Sequence, residues 1–205
     1  MSERFHDIAV TVNGEEVRER VDARKTLVDF LREDVALTGS HVGCEHGVCG
    51  ACSVRVDGVV VRGCLMLAVQ CDGARVDTIE GVADTDEIAD LQQAFVARNA
   101  LQCGYCTPGM LLTAQELLAR GGVPTREQIR THLSGNYCRC TGYQAIVDAV
   151  EAVAQARAGT KQGKSPKTPH PSSPPSTCRI PISAARYRGR ISRASPAAAR
   201  NSSAT

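Results

Sequence analysis

A cysteine-rich stretch in the first third of the chain has a spacing with a definite chemistry. Cys44, Cys49 and Cys52 lie within nine residues, and Cys64 follows after a hairpin-like segment. This C-x4-C-x2-C spacing with a later fourth cysteine is the plant-type arrangement of thiolates around a [2Fe–2S] cluster. Glycines between the cysteines permit the tight loop that such a cluster requires. A zinc site is the alternative, but zinc sites usually repeat short C-x2-C pairs, which this triplet does not.

A second set of four cysteines lies further along the chain. Cys103 and Cys106 form a C-x2-C pair, and Cys138 and Cys140 form a C-x-C pair. On spacing alone, either zinc or a second cluster fits this set. Both pairs lie where a helix is predicted to begin, and helix N-termini favour an anionic, thiolate-ligated group because they expose N–H donors and a positive dipole. We therefore favour a second [2Fe–2S] cluster, which together with the first would form a path for single electrons.

The remaining reactive residues give weaker signals. Cys71 is either an alternative fourth ligand of the first set or a half-buried packing cysteine, and we favour packing. Rieske-type ligation requires histidines paired with cysteines on matching loops, and His46, which lacks such a partner, is predicted to be a surface residue. The other histidines are scattered: His6, His41, His132 and His170. Because paired acids, nucleophile triads and nucleotide-binding loops are not found, we predict no catalytic residue and no substrate site on this chain alone.

The elements that position the first set are predicted to be strands and one helix. Residues 5–21 and 53–62 alternate between apolar and polar side chains around Asn13-Gly14 and Asp57-Gly58, which are typical hairpin turns. Thr26 is predicted to cap a short helix, and 74–79 to form a last strand. Residues 1–80 are therefore predicted to form a small mixed sheet packed on one helix.

After Gly81 the apolar period changes from two to 3.6 residues. Four helices are predicted in an all-α domain over residues 81–158, with the second cysteine set at the N-terminal ends of its second and fourth helices. The signals are an apolar stripe of Ile88, Leu91, Phe95 and Val96, then Thr107-Pro108 as cap and first-turn proline, then a capping box from Thr125 to Gln128, and finally Gly142 with the apolar residues that follow it.

Composition separates the last part of the chain from the rest. Residues 161–205 carry nine Lys or Arg and no Asp or Glu, whereas residues 1–160 carry 15 basic and 22 acidic residues. Residues 159–205 are rich in Ser and Pro without an apolar period, so we predict a disordered basic tail in which Cys178 is a free thiol.

The N-terminus does not have the pattern of a secretory signal and no apolar run is long enough to span a membrane, so a cytoplasmic location is expected. Ten cysteines in a reducing compartment indicate metal binding rather than disulfides.

Several motifs resemble those of one protein family. They are Leu37-Thr-Gly39, Gly43-Cys-Glu-His-Gly-Val-Cys-Gly-Ala-Cys52, Gly63-Cys-Leu65, Gln102-Cys-Gly-Tyr-Cys-Thr-Pro-Gly109 and Gly135-Asn-Tyr-Cys-Arg-Cys-Thr-Gly-Tyr143. The chain thereby resembles the small iron–sulfur subunit of the molybdenum hydroxylases, the xanthine dehydrogenase, aldehyde oxidase and aerobic carbon monoxide dehydrogenase family. The resemblance covers about residues 5–158 and leaves the basic tail without a counterpart.

This resemblance implies an α+β chain with a plant-ferredoxin-like β-grasp domain followed by an all-α four-helix bundle domain. It implies two [2Fe–2S] clusters and a partner, a large molybdopterin-binding subunit, whose cofactor is contacted here by Gln102 and Cys140. A medium subunit that binds FAD is a further implied partner. The implied function is electron transfer: electrons leave the molybdenum centre singly and pass through both clusters to a flavin or another acceptor.

Two other functions fit the cysteine sets. One is a free-standing two-cluster electron carrier, and the other is an iron–sulfur redox sensor whose basic tail contacts nucleic acid. A fixed subunit is expected to expose apolar surface around Gln102 and Cys140, whereas a carrier is expected to leave both clusters near solvent. A sensor needs a nucleic-acid-binding element, and residues 1–160 contain neither a helix-turn-helix nor a basic-helix pattern, so no nucleic-acid partner is expected.

Overall fold

The computed structural model describes residues 4–160. Its five strands form one sheet in the order β2-β1-β5-β3-β4. The strands are β1 (Phe5–Val12), β2 (Glu15–Asp22), β3 (Ser53–Val56), β4 (Val59–Arg62) and β5 (Arg75–Asp77). The sheet is mixed, because β1 pairs with β5 in parallel while the other pairs are antiparallel. The predictions for residues 161–205, including the disordered tail and Cys178, lie outside the described residues.

Both predicted hairpins are present, and the backbone conformation of their turns explains why they form. Asn13 and Gly14 have φ angles of 51° and 89°, and Asp57 and Gly58 have 48° and 86°. Two successive positive φ angles match the right-handed twist of the flanking strands, which is why Asn-Gly and Asp-Gly are favoured there. The turns fix the register of β1 on β2 and of β3 on β4, so the alternate residues Ile8, Val10 and Val12 of β1 and Val54 and Val56 of β3 face the same layer.

One short helical segment covers that layer. Helix α1 (Leu27–Asp29) begins at Thr26, whose hydroxyl accepts the Asp29 N–H as predicted, and it continues as a π-helical turn over Phe30–Asp34. The buried residues between segment and sheet form a first core: Ile8, Val10, Val12, Val21, Leu27, Phe30, Leu31, Val54, Val56, Ala68, Cys71 and Val76. Burial of this aliphatic surface stabilises the sheet and fixes the position of the loop that follows the helix.

Residues 79–160 are helical apart from their connections. The helices are α2 (Ile79–Asp84), α3 (Ala89–Ala97), α4 (Thr107–Ala119), α5 (Arg126–Leu133) and α6 (Gln144–Thr160). The capping box from Thr125 to Gln128 is confirmed at the start of α5. The short helix α2 was not predicted. Val96 was predicted to belong to the apolar stripe of α3, but 68% of it is exposed, so that assignment is wrong.

A network of ion pairs joins the sheet to the helices. Arg55 of β3 donates two hydrogen bonds to Glu87, at 2.8 and 3.0 Å, and one to Asp77 at 3.1 Å. Glu87 also accepts from Gln115 of α4 at 3.1 Å. At the sheet edge, the Val60 N–H donates to the Glu116 carboxylate of α4 at 3.2 Å, so this N–H of the edge strand is not left unpaired. The result is a mixed sheet plus helices, an α+β fold, in which both cysteine sets lie at the junction.

Candidate metal centres

The first cysteine set is positioned by the hairpin of β3 and β4 and by the loop before it. Cys52 directly precedes β3, and Cys64 lies two residues after β4, so the antiparallel pairing brings them together. Both are buried and pack against Val28 of α1. Cys44 and Cys49 lie in the preceding loop and are half-buried. All four predicted residues therefore converge on one place.

The four thiols of this set form two pairs. Cys44 and Cys49 interact through their side chains, and so do Cys52 and Cys64. Burial raises the pKa of Cys64 to about 11, and the neighbouring Cys52 thiol adds to the effect. Backbone N–H groups of Cys49, His46 and Val48 instead lower the pKa of Cys44 to about 6, because they donate to its sulfur. The loop therefore already provides donors for anionic sulfur.

Two glycines shape this loop. Gly47 has a φ of 83°, and a Cβ placed there would lie 2.3 Å from Leu65. A Cβ at Gly43 would lie 3.1 Å from the sulfur of Cys49. The loop thus curls around the thiols closely enough that side chains at these positions would interfere with the sulfurs or with their neighbours. His46, predicted to be a surface residue, is exposed, and its ring contacts the Cys44 carbonyl oxygen.

The second set lies at the N-terminal sides of α4 and α6. The sulfurs of Cys103 and Cys140 are 3.6 Å apart and exposed, and Cys106 interacts with Cys138 further inside. Burial, followed by the neighbouring Cys138, raises the pKa of Cys106 to about 12. The pairs are therefore formed across the two motifs, one cysteine from C-x2-C and one from C-x-C.

Thr141 is a residue of this site that the sequence reasoning missed. Its hydroxyl donates to the Cys138 sulfur at 3.1 Å, and its N–H donates to the same sulfur at 3.4 Å. Although burial raises the pKa of Cys138, these hydrogen bonds lower it overall. The available signal was a hydroxyl residue directly after a C-x-C pair, where it can reach a ligand sulfur.

The paired arrangement fits a two-iron cluster. Within residues 4–160, no three His, Cys, Asp or Glu side chains are placed to hold one metal ion. Instead, each set offers two thiols on each of two sides, with N–H donors aimed at the sulfurs. A [2Fe–2S] cluster takes four cysteine thiolates and is tuned by such hydrogen bonds. The donor chemistry of both sets is therefore suitable for this cofactor.

The two sets are joined by backbone contacts. The N–H of Tyr137, next to Cys138, donates to the carbonyl oxygen of Cys49 at 2.8 Å. Arg62 at the end of β4 donates to the Gly135 carbonyl at 2.8 Å and to the Ser53 hydroxyl at 2.5 Å. A single hydrogen bond therefore connects a residue of the first set to the neighbour of a residue in the second.

An aromatic contact forms a second connection. Tyr105, between Cys103 and Cys106, stacks on His41 with ring centroids 4.5 Å apart. Its hydroxyl donates to the Val42 carbonyl at 2.7 Å, and its own carbonyl contacts the His41 ring at 2.7 Å. Residues next to each cysteine set are thus in direct contact, although the sequence reasoning assigned no role to His41.

Gln102 and Cys71 occupy very different environments. Gln102 is exposed beside Cys103, and within residues 4–160 its side chain makes no hydrogen bond. Cys71 is fully buried in the first core rather than half-buried, and it lies outside the small cluster formed by Cys52 and Cys64. The structure therefore places Cys71 in the packing role.

Comparison with known proteins agrees with this geometry. Residues 10–91 match the family described as a 2Fe-2S iron-sulfur cluster binding domain, and residues 78–151 match the one described as a [2Fe-2S] binding domain. The chain is 52% identical over 157 residues to the nicotine 6-hydroxylase small subunit of Paenarthrobacter nicotinovorans. The aligned residues are 77% of this chain and 94% of the relative. The chain belongs to the family of small iron–sulfur subunits of molybdenum hydroxylases.

Members of this family occur both as separate and as fused chains. A chain of quinoline 2-oxidoreductase from Pseudomonas putida 86 superposes with a TM-score of 0.72 at 45% identity, over 78% of this chain and 98% of that one. The aldehyde oxidoreductase of Megalodesulfovibrio gigas is 45% identical over 162 residues, which are 78% of this chain but 17% of the relative. Among residues 4–160, no helix of this family member is both long and apolar enough to cross a membrane.

Proposed function

We propose that this chain is the electron-transfer subunit of a molybdopterin-dependent hydroxylase or dehydrogenase. Cys44, Cys49, Cys52 and Cys64 hold one [2Fe–2S] cluster, and Cys103, Cys106, Cys138 and Cys140 hold the other. Each cluster, when bound, accepts and releases one electron at a time. The observation that carries the proposal is the 2.8 Å hydrogen bond from Tyr137 to Cys49, because it links the two sets through a path of few bonds.

The exposed end of this path supports a partner at the second set. Cys103, Cys140 and Gln102 are exposed, and so are the rings of Tyr105 and Tyr137 at 47% and 54%. Exposed aromatic surface next to ligands is what a fixed subunit needs and what a free carrier does not require. We propose that a large molybdopterin-binding subunit covers this surface and that Gln102 and Cys140 contact its cofactor.

Other parts of the proposal concern organisation. We propose a ferredoxin-like β-grasp domain over residues 1–80, a four-helix bundle domain over 81–158 in which α2 serves as a connecting turn, and a basic tail over 159–205. A medium subunit with FAD, or another acceptor, takes electrons from the first cluster. The cytoplasmic location remains a prediction from the sequence.

Metal and sulfide analysis tests the ligand assignment. Purified with the chains that accompany it, the protein is expected to hold about four iron and four acid-labile sulfide, with two distinct EPR signals. Two irons and one zinc would overturn the second cluster and favour a structural zinc site.

Cysteine variants then assign each signal. Cys106→Ser is expected to abolish one EPR signal and to block electron flow from the molybdenum partner, while the other signal persists. Cys71→Ala is the matched control and is expected to leave both signals in place, since Cys71 lies in the apolar core. Full turnover by Cys106→Ser would refute the path, and loss of a signal in Cys71→Ala would make Cys71 a ligand.

A further inference from the structure

The Cys138 sulfur is contacted by two donors from a single residue. The Thr141 hydroxyl lies 3.1 Å from it, and the Thr141 N–H lies 3.4 Å from it. At the first site, by comparison, the sulfur of Cys44 receives a backbone N–H from Cys49 at 3.4 Å. The hydrogen bond from the hydroxyl at the second site is therefore shorter than the one from a backbone donor at the first site. It also depends on the identity of one side chain.

Tyr143 leaves the hydroxyl hydrogen of Thr141 available for the sulfur. The Tyr143 N–H donates to the Thr141 oxygen at 3.2 Å. Because this bond occupies a lone pair of that oxygen, the hydroxyl proton is free to point to the Cys138 sulfur. A chain of donors, from the Tyr143 N–H through the Thr141 hydroxyl, then ends on the sulfur, and such chains strengthen each bond by polarisation.

Tyr143 is held in an unusual conformation to do this. Its φ is +69°, which is uncommon for a bulky residue. Its phenol oxygen accepts the N–H of Cys138 at 2.8 Å, so Cys138, Thr141 and Tyr143 form a closed hydrogen-bonded ring. Strained backbone of this kind persists where surrounding contacts over-determine it, and functional sites are where it is concentrated.

We propose that the Thr141 hydroxyl raises the reduction potential of the cluster held by the second cysteine set. The inference rests on the proposed function, because it requires that cluster. Reduction of that cluster would take one electron from the molybdenum partner of the proposed function and convert one ferric ion to ferrous; no bond would break, and the Thr141 hydroxyl would keep its proton. A donor to a ligand sulfur stabilises the more negative, reduced form, and hydrogen bonding to cluster sulfurs is a recognised determinant of potential.

The test is an EPR-monitored redox titration of the complex in which the chain is purified. Thr141→Val removes the hydroxyl at nearly constant volume. At a fixed applied potential it is expected to lower the ratio of reduced to oxidised second cluster about tenfold, which is a fall of about 59 mV in the reduction potential of that cluster. The first cluster's potential is expected to stay unchanged. Thr141→Ser, which keeps a hydroxyl, is expected to restore the wild-type value. Thr131→Val, the same change at an exposed position of α5, is the matched control and is expected to shift neither potential.

Each outcome is decisive. An unchanged second potential in Thr141→Val overturns the inference, as does an equal shift of both clusters or a Thr141→Ser value that matches Thr141→Val. If Thr141→Val does not assemble the cluster, Thr141→Ala replaces it in the same titration, because it removes the same hydroxyl, and it is judged by the same shift of the second potential. Failure of the proposed function has a different signature, since the wild-type protein would then lack the second signal altogether.

Discussion

Replacement of Gly109 by alanine tests whether the two cysteine sets are held at a fixed separation. Gly109 lies in the first turn of α4, three residues after Cys106, and a Cβ placed there would be 2.1 Å from the carbonyl oxygen of Gly50. Non-bonded carbon contacts are favourable only at about 3.5–4.0 Å, so the turn that carries Cys49 must move by about 1 Å or more. Because Gly50 directly follows Cys49, we expect that movement to disturb the hydrogen bond from the Tyr137 N–H to the Cys49 carbonyl oxygen.

The size of the effect follows from two opposing terms. Alanine is favoured over glycine inside a helix by about 1 kcal/mol. Overpacking costs about 1–3 kcal/mol, and here the obstacle is a backbone carbonyl that cannot rotate away as a side chain would. We therefore take the upper end of that cost, about 3 kcal/mol, and expect a net destabilisation of about 2 kcal/mol. Since 1 kcal/mol shifts Tm by roughly 2–4 °C at this chain length, the expected fall is about 4–8 °C.

Two measurements on the purified complex check this prediction. Cluster absorbance is followed during heating at one scan rate, and the magnetic interaction between the two reduced clusters is measured by EPR. Gly159→Ala in α6 is the matched control, because a Cβ at Gly159 meets nothing within 4 Å. The reasoning is refuted if Gly109→Ala has the same Tm as Gly159→Ala and retains the wild-type magnetic interaction between the clusters.

Three further variants probe the junction between sheet and helices. Arg55→Met leaves the half-buried Glu87 without its salt-bridge partner and the buried Asp77 with only Arg75, and it is expected to cost about 2 kcal/mol in urea unfolding, somewhat less than breaking a fully buried pair. The Arg55 guanidinium lowers the pKa of Glu87, so the folded carboxylate binds fewer protons than the unfolded one; its stabilisation is complete above about pH 5 and is lost as pH falls through the lowered pKa. Glu87→Gln should therefore lose less stability than the wild type when both are acidified to pH 3. Arg62→Met frees the Gly135 carbonyl and should weaken the magnetic interaction between the clusters while both remain assembled; an unchanged interaction would show that Arg62 does not hold the two loops together.

The sequence was sufficient to predict those turns and helix caps that depend only on neighbouring residues in the chain. The turn at Asn13-Gly14 and the capping box at Thr125 depend on neighbours within four residues, and both were predicted correctly. Helix α2 was missed because its N-cap, Thr78, does not accept a backbone N–H of the helix with its side chain and because the helix spans only six residues. Val96 was misassigned because an apolar residue next to a buried one can still face solvent. Local pattern therefore predicts turns and caps better than it predicts which side of a helix is covered.

The cysteine sites divide in the same way. Spacing along the chain identified the two sets of four, but it did not identify the pairs, because Cys103 meets Cys140 only when the loops before α4 and α6 are brought side by side. Thr141 was missed for a related reason, since its hydroxyl acquires a role only when it is directed at a sulfur by the backbone of Tyr143. Such contacts depend on tertiary structure.

The pairs also differ in how deeply they are buried. In the second set, the Cys103 and Cys140 pair is exposed, whereas Cys106 and Cys138 are half-buried, and Cys138 directly follows Tyr137. In the first set, it is Cys49 that accepts the hydrogen bond from Tyr137, whereas Cys52 and Cys64 are buried against α1. The exposed pair of the second set is thus connected to the hairpin of β3 and β4 through the hydrogen bond from Tyr137 to Cys49. Because Leu65, next to Cys64, is 62% exposed, the far end of the path reaches the surface beside an apolar side chain. Each set therefore reaches the surface at a place of its own: the second set at the exposed pair of Cys103 and Cys140, and the first set beside Leu65.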